Sequence, residues 1–187
     1  SEYFARATKA NPKSVGSRAA LARTRFLRGD TAGAVAELEQ IAANDTGTVA
    51  DLELVNEQLR RRDFKQALKA IDNLERKVPG KSTPMNLRGL AYLGLGDSVQ
   101  ARASFEQALS LDPAFFPAAF SLAALDIADK KPQQAQQRFE AIIKAQPGHL
   151  RAMQALAELR ARNGASEQEV TEILADAVRL NPNQASA

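Results

Sequence analysis

The prolines of this chain fall on a regular lattice. Pro79, Pro113 and Pro147 are 34 residues apart, and Pro182 follows after a further 35. Pro12 lies 67 residues before Pro79, which is two further steps of the lattice. A fixed period of this length is typical of repeat proteins, in which one supersecondary unit cannot bury its apolar face without a neighbour. The spacing therefore predicts a stack of repeats, although 187 residues would also suit one ordinary domain.

Small and large apolar side chains follow the same period. Small residues let two helices approach closely where they cross, and a large residue from the next turn fills the remaining space. The small column is Ala34, Ala67, Ala101 and Ala135, with Val170 next, and the large column four residues later is Leu38, Ile71, Phe105, Phe139 and Leu174. A second small column precedes the first by 12 or 13 residues and consists of Ala22, Val55, Gly89, Ala123 and Ala157.

Each repeat is predicted to contain two amphipathic helices. In the third repeat the first helix spans about Met85–Leu95 and ends at Gly96, because glycine suits the left-handed conformation that follows a helix. The second helix spans about Ser98–Leu111 and stops before Pro113, since the residue that precedes a proline is biased away from helix. The prolines of the lattice therefore mark the ends of the second helices.

One stretch carries these features in full. It reads Arg88-Gly89-Leu90-Ala91-Tyr92-Leu93-Gly94-Leu95-Gly96-Asp97, followed by Ala101, Phe105, Ala108 and Asp112-Pro113. This pattern resembles the tetratricopeptide repeat. The resemblance implies an all-α fold, a right-handed solenoid of stacked antiparallel helix hairpins. It also implies binding of peptides or proteins, without catalysis.

We predict a single solenoid domain over residues 1–187. Residues 1–14 would be the second helix of a truncated repeat, residues 15–47, 48–81, 82–115, 116–149 and 150–183 five full repeats, and residues 184–187 a tail. In the last repeat Ser166 and Glu169 have the spacing of a capping box, which predicts that the second helix begins there. Because the chain starts with half a repeat, we expect the natural protein to extend further at its N-terminus.

In tetratricopeptide repeat proteins the first helices line a concave groove, and the resemblance places thirteen side chains of this chain in it. Four of them are Ala19, Phe26, Leu59 and Ile127, and the other nine are candidates for ligand contacts. The amide of an asparagine can both donate to and accept from a peptide backbone. Asn56 and Asn86 are therefore the leading candidates for ligand contacts, with Arg23, Arg60 and Phe120 next. The remaining candidates are Leu90, Ser121, Gln154 and Glu158. The alternative for each is a solvated residue on a helix face.

One functional subclass of this fold grips the C-terminal carboxylate of a chaperone with lysine, asparagine and arginine side chains at fixed groove positions. Here Ala19 and Arg23, or Leu52 and Asn56, replace the lysine and asparagine. Pro117 and Ser121 replace the later basic pair. The sequence therefore argues against a chaperone-tail adaptor.

The composition speaks against catalytic and metal sites. The chain has no cysteine and a single histidine, His149, so thiolate ligands, a multi-histidine metal site and a histidine-centred triad are not expected. No glycine-rich phosphate loop follows a predicted strand. We accordingly expect no catalytic residue, no metal and no cofactor.

The charge balance is too mild to indicate a nucleic-acid partner. The 25 basic and 22 acidic side chains give a net charge of +3. Arg60–Arg62 with Lys65 and Lys69 form a basic cluster that could contact phosphate. A solvated helix end is the favoured interpretation, because cations are stabilised near a helix C-terminus and no aromatic residues interleave for base stacking.

Aromatic residues are densest around the start of the fourth repeat. Pro117 suits the first turn of a helix, and Phe116 and Phe120 lie one turn apart on a single face. We favour packing of Phe115, Phe116 and Phe120 between the third and fourth repeats. An exposed spot that binds a partner is the alternative.

A narrower resemblance concerns residues 111–119, 125–132 and 155–159. They are similar to the repeat-rich lipoproteins of the bacterial PEP-CTERM/exosortase system, which are encoded with exopolysaccharide and protein-sorting machinery. The resemblance implies a periplasmic protein held at the membrane by a lipid anchor outside this stretch, and a role as a scaffold in envelope protein sorting. The alternative is a cytoplasmic regulatory region of a larger enzyme such as a glycosyltransferase. The ligand and the oligomeric state stay open.

Overall fold

A computed structural model of the chain describes residues 14–182. Over this range the protein contains ten α-helices and no strand, which confirms the predicted all-α fold. The helices are α1 (Val15–Leu27), α2 (Thr31–Asn44), α3 (Val49–Arg60), α4 (Phe64–Lys77), α5 (Ser82–Gly94), α6 (Ser98–Leu111), α7 (Phe116–Ala128), α8 (Pro132–Ala145), α9 (Leu150–Arg162) and α10 (Glu167–Leu180). The truncated repeat predicted for residues 1–14 lies almost wholly outside the described residues.

The helix ends follow the local signals in the sequence. α5 starts at Ser82 rather than near Met85 and ends one residue before Leu95, and Gly96 follows with a φ of 78°. α6 begins and ends where predicted, and the capping box between Ser166 and Glu169 is formed at the start of α10. Local signals therefore place a helix end within one or two residues where a glycine, a proline or a cap is present.

The chain forms two compact units, residues 1–97 and 98–187. In the first unit α1 pairs with α2 and α3 with α4, while α5 packs against both α3 and α4. The small and large columns form the core of this unit, where Ala34, Leu38, Ala67 and Ile71 are fully buried. The division into one truncated and five full repeats within a single domain stays a prediction.

In the second unit each helix from α6 to α10 packs against the next one along the chain. Ala123, Ala135, Phe139, Leu156 and Leu159 form one of its buried apolar clusters. The large column is buried in both units, with at most 3% of the side chain exposed from Leu38 to Phe139, whereas Leu174 at the same repeat position in α10 is 42% exposed.

A buried carboxylate ties three helices of the second unit together. Asp126 of α7 is fully buried, and its two oxygens lie 2.6 Å from Arg102 Nη1 of α6 and 3.1 Å from Arg138 Nε of α8. The hydrogen bond to Asp126 raises the pKa of the Arg102 guanidinium, which stays charged. Because a buried charge is costly without partners, this contact fixes the relative placement of α6, α7 and α8.

The aromatic residues at the start of α7 divide into a packed and an exposed member. The ring of Phe116 lies 6.2 Å from that of Phe139 and 5.3 Å from that of His149, centroid to centroid. Phe116 therefore packs within its own repeat. Phe120 lies 5.7 Å from Phe116 but is 53% exposed. Phe116 is thus partly buried, with its ring contacts in the fourth repeat and not between the third and fourth repeats, and Phe120 is available to a partner.

Candidate functional site

The candidate site of the second unit begins with the local sequence of α7. Pro117 occupies the first turn of this helix, where its missing N–H costs no hydrogen bond. Ala119 and Leu122 point into the core, and Phe120 and Ile127, two turns apart, lie together on the adjoining face. Both are large and apolar, and 53% of Phe120 and 45% of Ile127 remain exposed.

A shallow apolar cleft of about 200 Å³ joins this face of α7 to α9. Phe120 and Ile127 line it from α7, and Leu159 lines it from α9. Phe139 of α8 contacts the cleft from below and is itself buried. Small side chains keep it open, namely Ala123, Ala124 and Ala155.

One edge of this cleft is charged. Glu158 Oε1 lies 2.8 Å from Arg162 Nη2 in an ion pair one turn apart on α9, and both side chains are exposed. Exposed pairs of this kind contribute little to stability. They are therefore free to exchange partners when a ligand arrives, and the site combines an apolar floor with one acidic and one basic group.

Of the nine candidates for ligand contacts, two line this cleft, Phe120 and Glu158, and the predicted groove position Ile127 lines it as well. Ser121 donates its hydroxyl to the carbonyl oxygen of Pro117 at 3.0 Å and so bonds to its own helix. Gln154 is exposed on α9 but does not line the cleft.

The predicted groove residues of the first unit mostly lie on exposed faces of the first helices. Arg23 of α1 forms an ion pair with Glu53 of α3. Arg60 pairs within α3 with Glu57, at 2.7 Å between Nη2 and Oε1, and this hydrogen bond raises the pKa of Arg60. Asn56 and Leu90 are also exposed.

Asn86 differs from the expectation of an exposed groove residue. Only 8% of it is exposed, and its Oδ1 has no hydrogen-bond partner within the described part of the chain. The physical reason is the position of α5, which packs against both α3 and α4, so that its first turns are covered on most sides. Asn86 is thus a residue of the helix interface and not of an open surface.

Two residues of the cleft escaped the sequence analysis, Arg162 and Leu159. Arg162 follows Glu158 at helical spacing and could have been found as its ion-pair partner. Leu159 is buried, and a single sequence does not show whether a buried leucine borders a cleft or fills a core.

Between residues 14 and 182 no group of three or more histidine and acidic side chains is placed to hold a metal ion. Within the same range no helix is long and apolar enough to span a bilayer.

Comparison with known proteins identifies the repeat. One family model described as tetratricopeptide repeat matches residues 92–159, and a second with the same description matches residues 52–115. Together they cover residues 52–159, which is more than half of the chain. No curated protein sequence matches the chain.

Solved structures of repeat proteins share this fold. A thermophilic tetratricopeptide repeat protein of Thermus thermophilus, TTC0263, is 24% identical, with a TM-score of 0.65 over 83% of this chain and 86% of its own. MamA is 16% identical, with a TM-score of 0.61 over 89% and 97%. YrrB, described as a repeat protein with an unusual peptide-binding site, is 17% identical, with a TM-score of 0.54 over 97% and 94%. At these identities the likeness concerns the fold.

Proposed function

Since this chain belongs to the tetratricopeptide repeat family, we propose that it is a scaffold that binds an apolar peptide segment of a partner protein in the cleft between α7 and α9. The fold is of the kind that binds peptides or proteins, and one structural neighbour is described by its peptide-binding site. The binding requires no catalysis by this chain.

The exposure of Phe120 carries this proposal. An aromatic side chain that is half exposed beside Ile127 leaves apolar surface in water, which is unfavourable unless a partner covers it. Aromatic side chains over small concave pockets are also where binding energy concentrates in protein interfaces. A ligand with one or two large apolar side chains and a polar group near Glu158 and Arg162 fits this surface.

The test uses peptides selected from a random displayed library against the intact chain. The affinity of a selected peptide is measured for the wild type and for Phe120→Ala. Loss of a central aromatic contact is expected to weaken binding by roughly tenfold or more, because such contacts contribute about 2 kcal/mol or more.

Val99→Ala is the matched control, since Val99 is an exposed apolar residue of the same unit that lies outside the cleft. It should leave the affinity unchanged. Equal effects of Phe120→Ala and Val99→Ala, with both variants folded by circular dichroism, would contradict the proposed site.

The narrower role in envelope protein sorting rests on sequence resemblance alone. We propose it as the physiological setting of the scaffold, with a periplasmic location and a lipid anchor on the full-length protein. Fractionation of the native host would test it, and recovery of the full-length protein in the cytosol would favour a regulatory region of a larger enzyme.

A further inference from the structure

A second cleft lies in the first unit, between the second helices α2 and α4, with α3 as its floor. Its volume is about 580 Å³. The lining residues are Glu39, Ala42 and Ala43 of α2, Leu54 and Gln58 of α3, and Gln66, Lys69, Ala70, Asn73, Arg76 and Lys77 of α4. The first-helix groove residues Asn56 and Arg60 do not line it, so this cleft is separate from the predicted groove.

Gln58 marks the floor of this cleft. Only 6% of the residue is exposed, and its Oε1 accepts no hydrogen bond within residues 14–182. A buried carbonyl without a donor costs about 1 to 3 kcal/mol, and most buried polar atoms in proteins do have a partner. A group that enters the cleft with an N–H or O–H donor would remove this cost.

In the second unit the side chain at the same repeat position does have hydrogen-bond donors. Gln58 and Asp126 are both the eleventh residue of their repeats. Asp126 receives hydrogen bonds from Arg102 of the preceding second helix and from Arg138 of its own. Both donors therefore come from second helices of the unit.

Neither donor has a counterpart in the first unit. At the repeat position of Arg102 the first unit has Val35, and at that of Arg138 it has Ala70. The two arginines are thus replaced by side chains that cannot donate a hydrogen bond and that are much smaller than arginine. This replacement explains why the carbonyl of Gln58 has no partner.

The replacement also enlarges the cleft. The corresponding cleft of the second unit lies between α6 and α8, has a volume of about 420 Å³ and is lined by Arg138 and Leu109. Ala70 and Ala42 take these two positions in the first unit, where the volume is about 580 Å³. The space that Arg138 occupies in one unit is open in the other.

The charges around the cleft favour an anionic ligand. Lys69 and Arg76 line it, and among the described residues neither pairs with a carboxylate. Lys77 is engaged, since its Nζ lies 2.6 Å from Asp51 Oδ2 and 2.7 Å from the carbonyl oxygen of Ala42. Arg76 donates a hydrogen bond to the neutral Asn73 Oδ1, and Glu39 is the one acidic residue in the lining. Two cations without a carboxylate partner therefore oppose one anion.

We propose that this cleft binds an acidic peptide segment in an extended conformation. A backbone N–H of the peptide donates to Gln58 Oε1, and a backbone carbonyl accepts from the Gln58 amide, as a glutamine side chain permits. Acidic side chains on either side of this residue pair with Lys69 and Arg76. The site is distinct from the apolar cleft of the second unit and extends the proposed function to a second kind of segment.

The test measures binding of a labelled probe to the full 187-residue chain by fluorescence anisotropy. The probe is a fluorescein-labelled octapeptide of alternating aspartate and alanine with an amidated C-terminus. Saturable binding is expected, and the same octapeptide with asparagine in place of aspartate should bind at least about tenfold more weakly at low salt.

Three variants distinguish the cleft from general attraction between charges. Gln58→Leu should weaken binding of the probe by about fivefold, which is the effect of losing one hydrogen bond. Lys69→Gln should weaken it by a similar factor. Ala70→Arg rebuilds the arrangement of the second unit, so it should fill the cleft, bond to Gln58 and abolish binding, although it adds a positive charge. Lys65→Gln is the control on the same helix, because Lys65 does not line the cleft.

Several outcomes would overturn this site. Absence of saturable binding at millimolar probe would do so, as would Ala70→Arg with unchanged or stronger affinity in a variant that keeps the wild-type thermal unfolding. If a single-stranded oligonucleotide competed with the probe equally well, the cleft would be a general anion site and not a peptide site. Phe120→Ala should leave the probe affinity unchanged, so the failure of either cleft would be seen independently of the other.

Discussion

After the first helices the backbone takes a left-handed conformation that favours glycine, but not every repeat has a glycine there. Gly29, Gly96 and Gly164 take a positive φ after their helices, which costs glycine little. Arg62 and Lys130 take the same conformation at the equivalent places, with φ of 62° and 59°. A side chain with a Cβ is strained there by about 1 kcal/mol.

Replacing Lys130 with glycine should therefore stabilise the protein. Lys130→Gly is expected to raise the free energy of unfolding by about 0.5 to 1 kcal/mol, because removal of the strain outweighs the greater freedom of glycine in the unfolded chain. Thermal or urea unfolding measures the change. Lys130→Ala, which keeps the Cβ, is the control and should not stabilise.

The buried carboxylate gives a second prediction at this scale. Asp126→Asn keeps the shape of the side chain but removes the charge that Arg102 and Arg138 contact, so it should destabilise the protein by about 2 kcal/mol. Asp129→Asn is the matched control: Asp129 pairs with Arg102 at 3.0 Å but is half exposed, and its loss should cost less than about 1 kcal/mol. Similar losses in urea unfolding for both would refute the importance of burial.

Whether a residue of this chain is exposed depends on its surroundings as well as on its position in the repeat. Phe120 lies on an exposed face of α7, which fits its assignment to the groove by the repeat period but not the favoured packing between the third and fourth repeats. Asn86 shares the repeat position of Phe120 but is buried on α5, which packs against α3 and α4. The sequence does not show that Gln58 lacks a hydrogen-bond donor, because this depends on the residues packed around Gln58 and not on Gln58 itself.

At the scale of one element, α10 shows how a helix start depends on a charged cap. The Ser166 hydroxyl accepts from the backbone N–H of Glu169 at 3.3 Å, and Glu169 Oε2 accepts from the backbone N–H of Ser166 at 3.0 Å. The hydrogen bonds from the backbone and side chain of Ser166 lower the pKa of Glu169. The cap is therefore strongest when Glu169 is ionised.

This coupling predicts that the start of α10 weakens at acid pH. A carboxyl whose pKa is lowered in the folded state stabilises that state above its unfolded pKa, and this contribution disappears as the pH falls through the lowered value. An NMR titration should show the Ser166 amide resonance moving with a pKa below that of an ordinary glutamate. The movement should vanish in Glu169→Gln and persist in Glu167→Gln.

The structure of whole helices was the part that sequence predicted best. Glycine, proline and capping residues act within one turn, so the ends of α6 and the cap of α10 could be derived locally. No side-chain cap marks the start of α5 at Ser82. The predicted start near Met85 is accordingly less accurate than the predicted ends of α6.

At the scale of the whole molecule, side chains at one position of the repeat differ in burial from one repeat to another. Leu38, Ile71, Phe105 and Phe139 are covered, whereas Leu174 is not, although all five occupy the same repeat position. Nearest-neighbour contacts dominate the stability of repeat proteins. The contribution of a repeat position therefore depends on where its repeat stands in the array.

Two leucines at this position allow a direct test. Leu38→Ala should cost about 2 to 5 kcal/mol, as for fully buried leucines, and Leu174→Ala roughly 1 kcal/mol, because part of its surface is already in water. Urea unfolding followed by circular dichroism measures both. Equal costs would show that the outer face of α10 is covered in solution.

The three-helix contact at Asp126 has a consequence for how such a chain can change over evolution. Tandem repeats invite the loss, duplication or exchange of one unit, since each unit has nearly the same outline. Asp126 takes one hydrogen-bond donor from its own repeat and one from the repeat before it. An exchange of repeats that placed Val35 at the position of Arg102 would leave one oxygen of the buried Asp126 carboxylate without its arginine. This contact thus constrains the order of the repeats. A rearranged gene would need compensating changes on both sides of the junction.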